Sequence, residues 1–213
     1  MKTLVFNGWA AGAEAWDLCT FEHDWIFSYI EQLDGLPERV IADSGDVVLV
    51  GFSMGGSSAL RMLLRFPSQV KGLVLISTTP RMMEERREGA VWRGMSERRL
   101  AALKLGTEIF FRGDPSPLYE PRNMNRGLEY LKTVDLRADL LALRRSYPAL
   151  EGIPVAILQS ERDGVVRPDN AAFLRSVFPQ AAVTMVPGGE HVLPVSVPEL
   201  VDSAVAAVCD DLV

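Results

Sequence analysis

Apolar residues along the chain follow two alternating rhythms. Short continuous runs, such as Val47-Val48-Leu49-Val50 and Val155-Ala156-Ile157-Leu158, are separated by longer segments in which apolar side chains recur every three or four positions. The first rhythm belongs to strands buried on both faces, the second to helices with one buried stripe. Their alternation predicts a mostly parallel sheet covered by helices. Strands are expected at 3–7, 25–30, 46–51, 71–77, 154–159 and 182–186, with 36–43 apolar enough to compete with 25–30. A helix is expected over 55–66, with Leu60, Leu63 and Leu64 on its buried side and Pro67 beyond its end. Another opens at Ser196-Val197-Pro198-Glu199, which has the Ser-x-x-Glu spacing of a capping box. Its stripe is Val197, Leu200, Val201, Ala204, Val205 and Val208.

The stretch from 80 to 149 breaks the alternation. It is rich in arginine, carries Gly-Asp-Pro-Ser-Pro at 113–117, and has no convincing strand pattern. It reads as a helical insertion, which divides the chain into a core of 1–79 and 150–213 and an inserted segment of 80–149.

Within that frame, Gly51-Phe52-Ser53-Met54-Gly55 carries the chemistry. G-x-S-x-G between an apolar strand and a helical pattern describes a tight strand-to-helix turn that lifts a serine hydroxyl above the sheet. The helix start behind it supplies N–H groups and a positive dipole end for a developing oxyanion. A serine needs a base, and the chain has only His23 and His191. In this arrangement the partners follow the serine in the order acid, then histidine, which selects His191. Asp163, after the run at 154–159, is the expected acid, with Glu161 and Asp169 as rivals. It precedes His191 by 28 positions, so the two loops are expected to leave adjacent strands. Oxyanion donors are expected from the backbone N–H groups of Met54 and Trp9, whose indole is also a candidate wall of the acyl pocket.

Composition narrows the surroundings. Of 213 residues, 48% are hydrophobic and 23% charged, ordinary values for one globular domain. A formal net charge of −6 argues against a general nucleic-acid binder. Two cysteines, Cys19 and Cys209, make no metal pattern and suggest a reducing compartment. The N-terminal apolar run is shorter than the roughly 7–15 residues of a signal-peptide core, and no stretch nears the roughly 20 of a membrane span. A soluble cytoplasmic protein without metal or organic cofactor is expected.

With these residues in view, the chain resembles the α/β-hydrolase superfamily, and within it the pimeloyl-acyl-carrier-protein methyl ester esterases of biotin synthesis. The resemblance rests on Asn7-Gly8-Trp9 with Ala15-Trp16, on Gly51-Phe52-Ser53-Met54-Gly55-Gly56, and on Asp163-Gly164-Val165-Val166. It extends to Gly127-Leu128-Glu129-Tyr130-Leu131-Lys132-Thr133-Val134-Asp135-Leu136-Arg137, outside those motifs, and to His191 followed by Pro194 and Pro198. It implies an α/β-hydrolase fold with a helical cap at 80–149 and hydrolysis of a methyl ester on an acyl chain borne by a carrier protein. Two departures stand out. The family usually has His-Gly where this chain has Asn7-Gly8, and its first antiparallel strands are missing, so a reduced sheet of about six strands is expected.

Charge adds to this picture. From Arg81 to Lys132 eleven basic residues face eight acids, a net +3, which leaves −9 on the remainder of a chain of −6. A basic cap on an acidic body would steer an acidic carrier to the site. Arg93, Arg98 and Arg99 are the candidate carrier contacts, and Phe110 and Phe111 candidates for lining the acyl channel. General carboxylesterase or thioesterase activity, and a hydrolase fold that only binds, are the competing readings.

Overall fold

In the computed structural model the described residues are 1–82 and 116–212. Among them six strands form one parallel sheet in the order β2-β1-β3-β4-β5-β6. The strands are β1 (Lys2–Phe6), β2 (Trp25–Phe27), β3 (Val47–Phe52), β4 (Val70–Ile76), β5 (Val155–Ser160) and β6 (Ala182–Val186). All six expected runs are strands, and the fold class is as expected. The helices are α1 (Tyr29–Leu33), α2 (Leu36–Ala42), α3 (Met54–Arg65), α4 (Ser116–Tyr119), α5 (Pro121–Thr133), α6 (Arg137–Ser146), α7 (Asn170–Val177), α8 (Leu193–Ser196) and α9 (Pro198–Asp210).

The continuous apolar runs follow from two-sided burial. Leu4, Phe6, Leu49, Leu73, Leu75 and Ile157 join Leu60 and Leu63 of α3, Leu140 of α6 and Leu174 of α7 in one core. Their strand neighbours Val5, Val48, Val50, Val74, Ile76 and Leu158 join Val201, Val205 and Val208 of α9 in a second. Side chains alternate across a strand, so a central strand between two helix layers must be apolar at every position. β6, at the edge, is mostly exposed. The chain passes from β1 out to β2 and back across to β3, so the strand order reverses between β1 and β3. In open parallel sheets such a switch point opens a crevice outside the carboxyl ends of the strands. The loops bearing Trp9 and Ser53 both leave from there.

Two local expectations are corrected. The strand expected at 25–30 stops at Phe27 because Ser28-Tyr29-Ile30-Glu31 forms a capping box. The Ser28 hydroxyl accepts from the Glu31 N–H (3.3 Å), and the Glu31 carboxylate accepts from the Ser28 N–H (2.8 Å). The competing run at 36–43 is helical, as α2. At the other end of the chain the capping box expected at Ser196 does not form. Ser196 closes the short helix α8, Val197 is the N-cap of α9, and no side chain caps that end. Pro198 begins α9 instead; its fixed φ suits a first helical turn, and its lack of an N–H leaves one fewer donor to satisfy.

Between β4 and β5 the described elements are all helical. Arg81 pairs antiparallel with Asp135, Leu136 N–H donates to Pro80 O (3.0 Å), and the Arg81 guanidinium lies 3.7 Å from the Asp135 carboxylate. The two ends of the stretch 81–135 therefore lie side by side. Helix α6 buries Leu140 in the main core, whereas α5 turns Met124 and Leu131 toward Trp9 and Tyr29.

The contrast between the two Ser-x-x-Glu sequences is measurable by chemical denaturation. Ser28→Ala should cost about 1 kcal/mol, the usual cost of losing an N-cap side chain. Ser196→Ala should stay within about 0.5 kcal/mol of the parent. Equal losses would mean that Ser196 caps α9 after all.

Candidate active site

Ser53 joins β3 to α3 with φ 55° and ψ −120°, a left-handed conformation that a residue with a Cβ adopts only under constraint. Several contacts impose it. Ser53 N–H donates to Ile76 O (2.9 Å), and the Thr78 hydroxyl donates to Ser53 O (2.6 Å). Behind the turn, the start of α3 presses on the end of β1 so closely that a Cβ on Gly55 would stand 2.0 Å from Phe6 O. The second glycine of the motif is thus a packing requirement of the helix against the neighbouring strand.

The hydroxyl so presented meets a relay of side chains. Ser53 Oγ is 2.9 Å from His191 Nε2, and His191 Nδ1 is 2.8 Å from Asp163 Oδ2. Asp163 follows β5 and His191 follows β6, adjacent strands with Ala156 opposite Ala182 and Ser160 opposite Val186. Both residues are buried, the Asp163 side chain completely. Burial alone would raise the Asp163 pKa. The hydrogen bond and charge of His191, with the N–H groups of Val166 and Val165, outweigh it and hold the carboxyl below its ordinary range. An ionised carboxylate only accepts, so Nδ1 carries the proton and donates to Asp163. In the neutral imidazole, Nε2 is then the acceptor for the Ser53 hydroxyl. The rivals stand elsewhere: Asp169 pairs with Arg167 (2.6 Å), Glu161 is exposed, and His23 is exposed beside Phe21 O.

Two polar residues that sequence reasoning passed over support this relay. The Ser160 hydroxyl, fully buried, donates to Gly189 O and accepts from Arg162 N–H (3.1 Å), tying the acid loop to the histidine loop. Gln159, also buried, places its amide nitrogen 3.3 Å from Asp163 Oδ2. The available signal was a Gln-Ser pair closing an otherwise apolar run. On the histidine's other side, the Phe52 ring lies 5.2 Å away, centroid to centroid, and Trp16 packs edge-on against Phe52.

The loop after β1 lies against the serine, with Gly8 packed on Phe52 and Ser53. Asn7, 1% exposed, organises it. Its amide nitrogen donates to Gly12 O, while Oδ1 accepts from Gly8 N–H (3.2 Å) and from the Trp16 indole (3.1 Å). Its backbone O accepts from the buried Gln32 amide (2.9 Å). Asparagine, with a donor and an acceptor at one tip, serves the two ends of this turn together. Trp9 is buried against Gly127, and its indole donates to Met124 O (3.2 Å), so the side chain bolts this loop to α5. Tyr119 adds a second tie from its hydroxyl to Ala10 O (3.3 Å). Met54 is the first residue of α3, where a helix leaves its N–H groups without intrahelical partners.

Phe110, Phe111, Arg93, Arg98 and Arg99 lie outside the described residues. Both cysteines are free thiols. Burial, then the charges of Asp202 and Glu199, push Cys19 up to about 12, and burial followed by Asp210 raises Cys209, so neither is a thiolate nucleophile near neutrality. Among the described residues no group of three or more His, Cys, Asp or Glu could hold a metal ion, and no helix is long and apolar enough to cross a membrane.

Comparison with known proteins agrees with this architecture. The chain is 26% identical to a pimeloyl-[acyl-carrier protein] methyl ester esterase of Nitrosospira multiformis, in a match spanning 72% of this chain and 65% of that protein, just under two thirds of its length. It is 27% identical to a protein of the same name from Nitrosomonas europaea, across 92% of this chain and 90% of the relative. A solved hydrolase from Oleispira antarctica shares the fold with a TM-score of 0.71, covering 97% of this chain and 90% of that one at 14% identity. The sequence profile of the alpha/beta hydrolase family matches residues 8–204, and the chain belongs to that family.

Proposed function

We propose that this protein is a serine esterase that cleaves an acyl ester through an acyl-enzyme, with Ser53 as nucleophile, His191 as base and Asp163 as its orienting acid. The observation that carries this reading is the continuous hydrogen-bonded line from Ser53 through His191 to Asp163 at the carboxyl edge of the sheet. As Ser53 Oγ attacks the ester carbonyl, its proton passes to His191 Nε2, and Asp163 stabilises the imidazolium through Nδ1–H. The negative charge on the former carbonyl oxygen falls to the N–H groups of Met54 and Trp9. Collapse expels the alcohol, which takes the proton from His191. Water, activated by the same imidazole, then releases the acid and frees Ser53.

The substrate proposed is a methyl ester on a medium-length acyl chain, in keeping with the names of the relatives. Segment 80–149 is the cap over the site, and the pairing of Arg81 with Asp135 sets the two ends of stretch 81–135 side by side. Phe110 and Phe111 line the acyl channel, and Arg93, Arg98 and Arg99 meet an acidic carrier protein. The support is electrostatic: residues 81–132, of net +3, on a remainder of −9 attract an acidic partner to the mouth of the site. A cytoplasmic setting suits such a partner.

Ser53→Ala should lower turnover of p-nitrophenyl esters on the order of 10⁶-fold. His191→Ala should come close to the same loss, since members of such a relay act as a unit, while His23→Ala should retain nearly all activity. Activity of Ser53→Ala within tenfold of the parent, or a greater loss from His23→Ala than from His191→Ala, overturns the assignment. The carrier proposal is tested separately, by reversing the charge of Arg93, Arg98 and Arg99 together. The kcat/KM for pimeloyl methyl ester on its carrier should fall, most at low salt, where the Debye length is longest. A free p-nitrophenyl ester should react as before. Equal effects on both substrates, or none on either, contradict docking at these arginines.

A further inference from the structure

β5 is apolar over Val155-Ala156-Ile157-Leu158 and then ends in two buried polar side chains, Gln159 and Ser160. A buried amide is costly unless it is hydrogen-bonded, so its partners disclose what it is for. The Ser160 hydroxyl holds the histidine loop. The Gln159 amide nitrogen lies 3.3 Å from Asp163 Oδ2, 3.2 Å from Ser160 O and 3.4 Å from Val166 O. Asp163 is ionised, and the other two partners are backbone carbonyls, so all three only accept. The NH2 end of the carboxamide must therefore face them, its two hydrogens shared among three acceptors.

The first of these acceptors bears on the chemistry. Asp163 Oδ1 takes two backbone N–H groups, from Val165 and Val166, both at 2.8 Å. Those bonds pin one oxygen and leave the carboxylate free to pivot about it. The second oxygen, Oδ2, is the one His191 uses, and among the described residues Gln159 is the other side chain that reaches it. We infer that Gln159 is a positioning residue for the acid: it shares Oδ2 with His191, thereby setting the strength of the Asp163–His191 hydrogen bond. A second donor on Oδ2 draws electron density from it and makes it a weaker acceptor for the imidazole. The inference rests on the esterase reading for its catalytic consequence, but its structural content is independent of that reading.

The test uses Gln159→Met, which keeps the length and loses the donor, and Gln159→Asn, which keeps an amide one methylene too short to reach. The readout is the low-field proton resonance of His191 Nδ1–H, assigned by its loss in His191→Ala; the chain has only two histidines to distinguish. In both variants the resonance should move downfield as His191 gains Oδ2 for itself. With the Asp163–His191 bond moved away from its parental strength, kcat on a p-nitrophenyl ester should fall roughly tenfold while KM changes little, the pattern of an interaction felt in the transition state. An unmoved or upfield resonance overturns the inference, and if kcat and thermal midpoint fall together without the downfield shift, Gln159 only packs. In the parent protein, which needs no substitution, at least one Gln159 carboxamide proton should exchange slowly with solvent; rapid exchange of both would also overturn it. Should Ser53→Ala remain active, the esterase reading falls while the resonance test still stands, so the two failures are distinguishable.

Discussion

The site depends on one crowded junction, where the first turn of α3 is driven against the carboxyl end of β1. The absence of a side chain at Gly55 permits that approach. The chain can then turn from β3 into α3 within a single residue, and Ser53 takes the strain at φ 55°. Such a conformation costs on the order of 1–3 kcal/mol and persists only where its surroundings over-determine it. Here they do so through the Ile76 carbonyl, the Thr78 hydroxyl and the sheet itself. The same junction brings Gly8 alongside the serine, so the hydroxyl and the loop after β1 are positioned by one packing event.

Around the junction, polar side chains are used as ties between loops that leave different strands. Asn7 closes the loop after β1 upon itself and onto Trp16. Ser160 links the loop after β5 to that after β6, and the Trp9 indole links the loop after β1 to α5. The Asn7 and Trp9 ties are buried and that of Ser160 partly so, where a hydrogen bond is strengthened by the low dielectric and a broken one leaves an unsatisfied group. A site assembled from four strand ends is held in register this way without a metal or a disulfide among the described residues.

Much of this was legible in the sequence because it rests on strong local signals. Two-sided burial makes Val47–Val50 unmistakable, and the same crowding that requires Gly55 writes the G-x-S-x-G pattern. With only two histidines, chain order alone separated His191 from His23. What escaped depends on partners distant in sequence. The hydrogen bond from Trp9 to Met124 spans 115 positions, and nothing near Trp9 announces it. Gln159 and Ser160 looked like the polar fringe of a strand, since their purpose appears only once β6 has brought the histidine loop alongside. The misread capping box at Ser196 has a local cause: a Ser-x-x-Glu spacing was present at both ends of the chain, and Pro198 moved the helix start past the serine at one of them.

The central claim is that Ser53, activated by His191, is the attacking group. Treating the folded protein with a fluorophosphonate and mapping the adduct by peptide mass spectrometry tests it most directly. The account predicts one adduct, on Ser53, forming far more slowly in His191→Ala and at the parental rate in His23→Ala. An adduct on any other residue, or an unlabelled Ser53 in an enzyme that still hydrolyses esters, would contradict it.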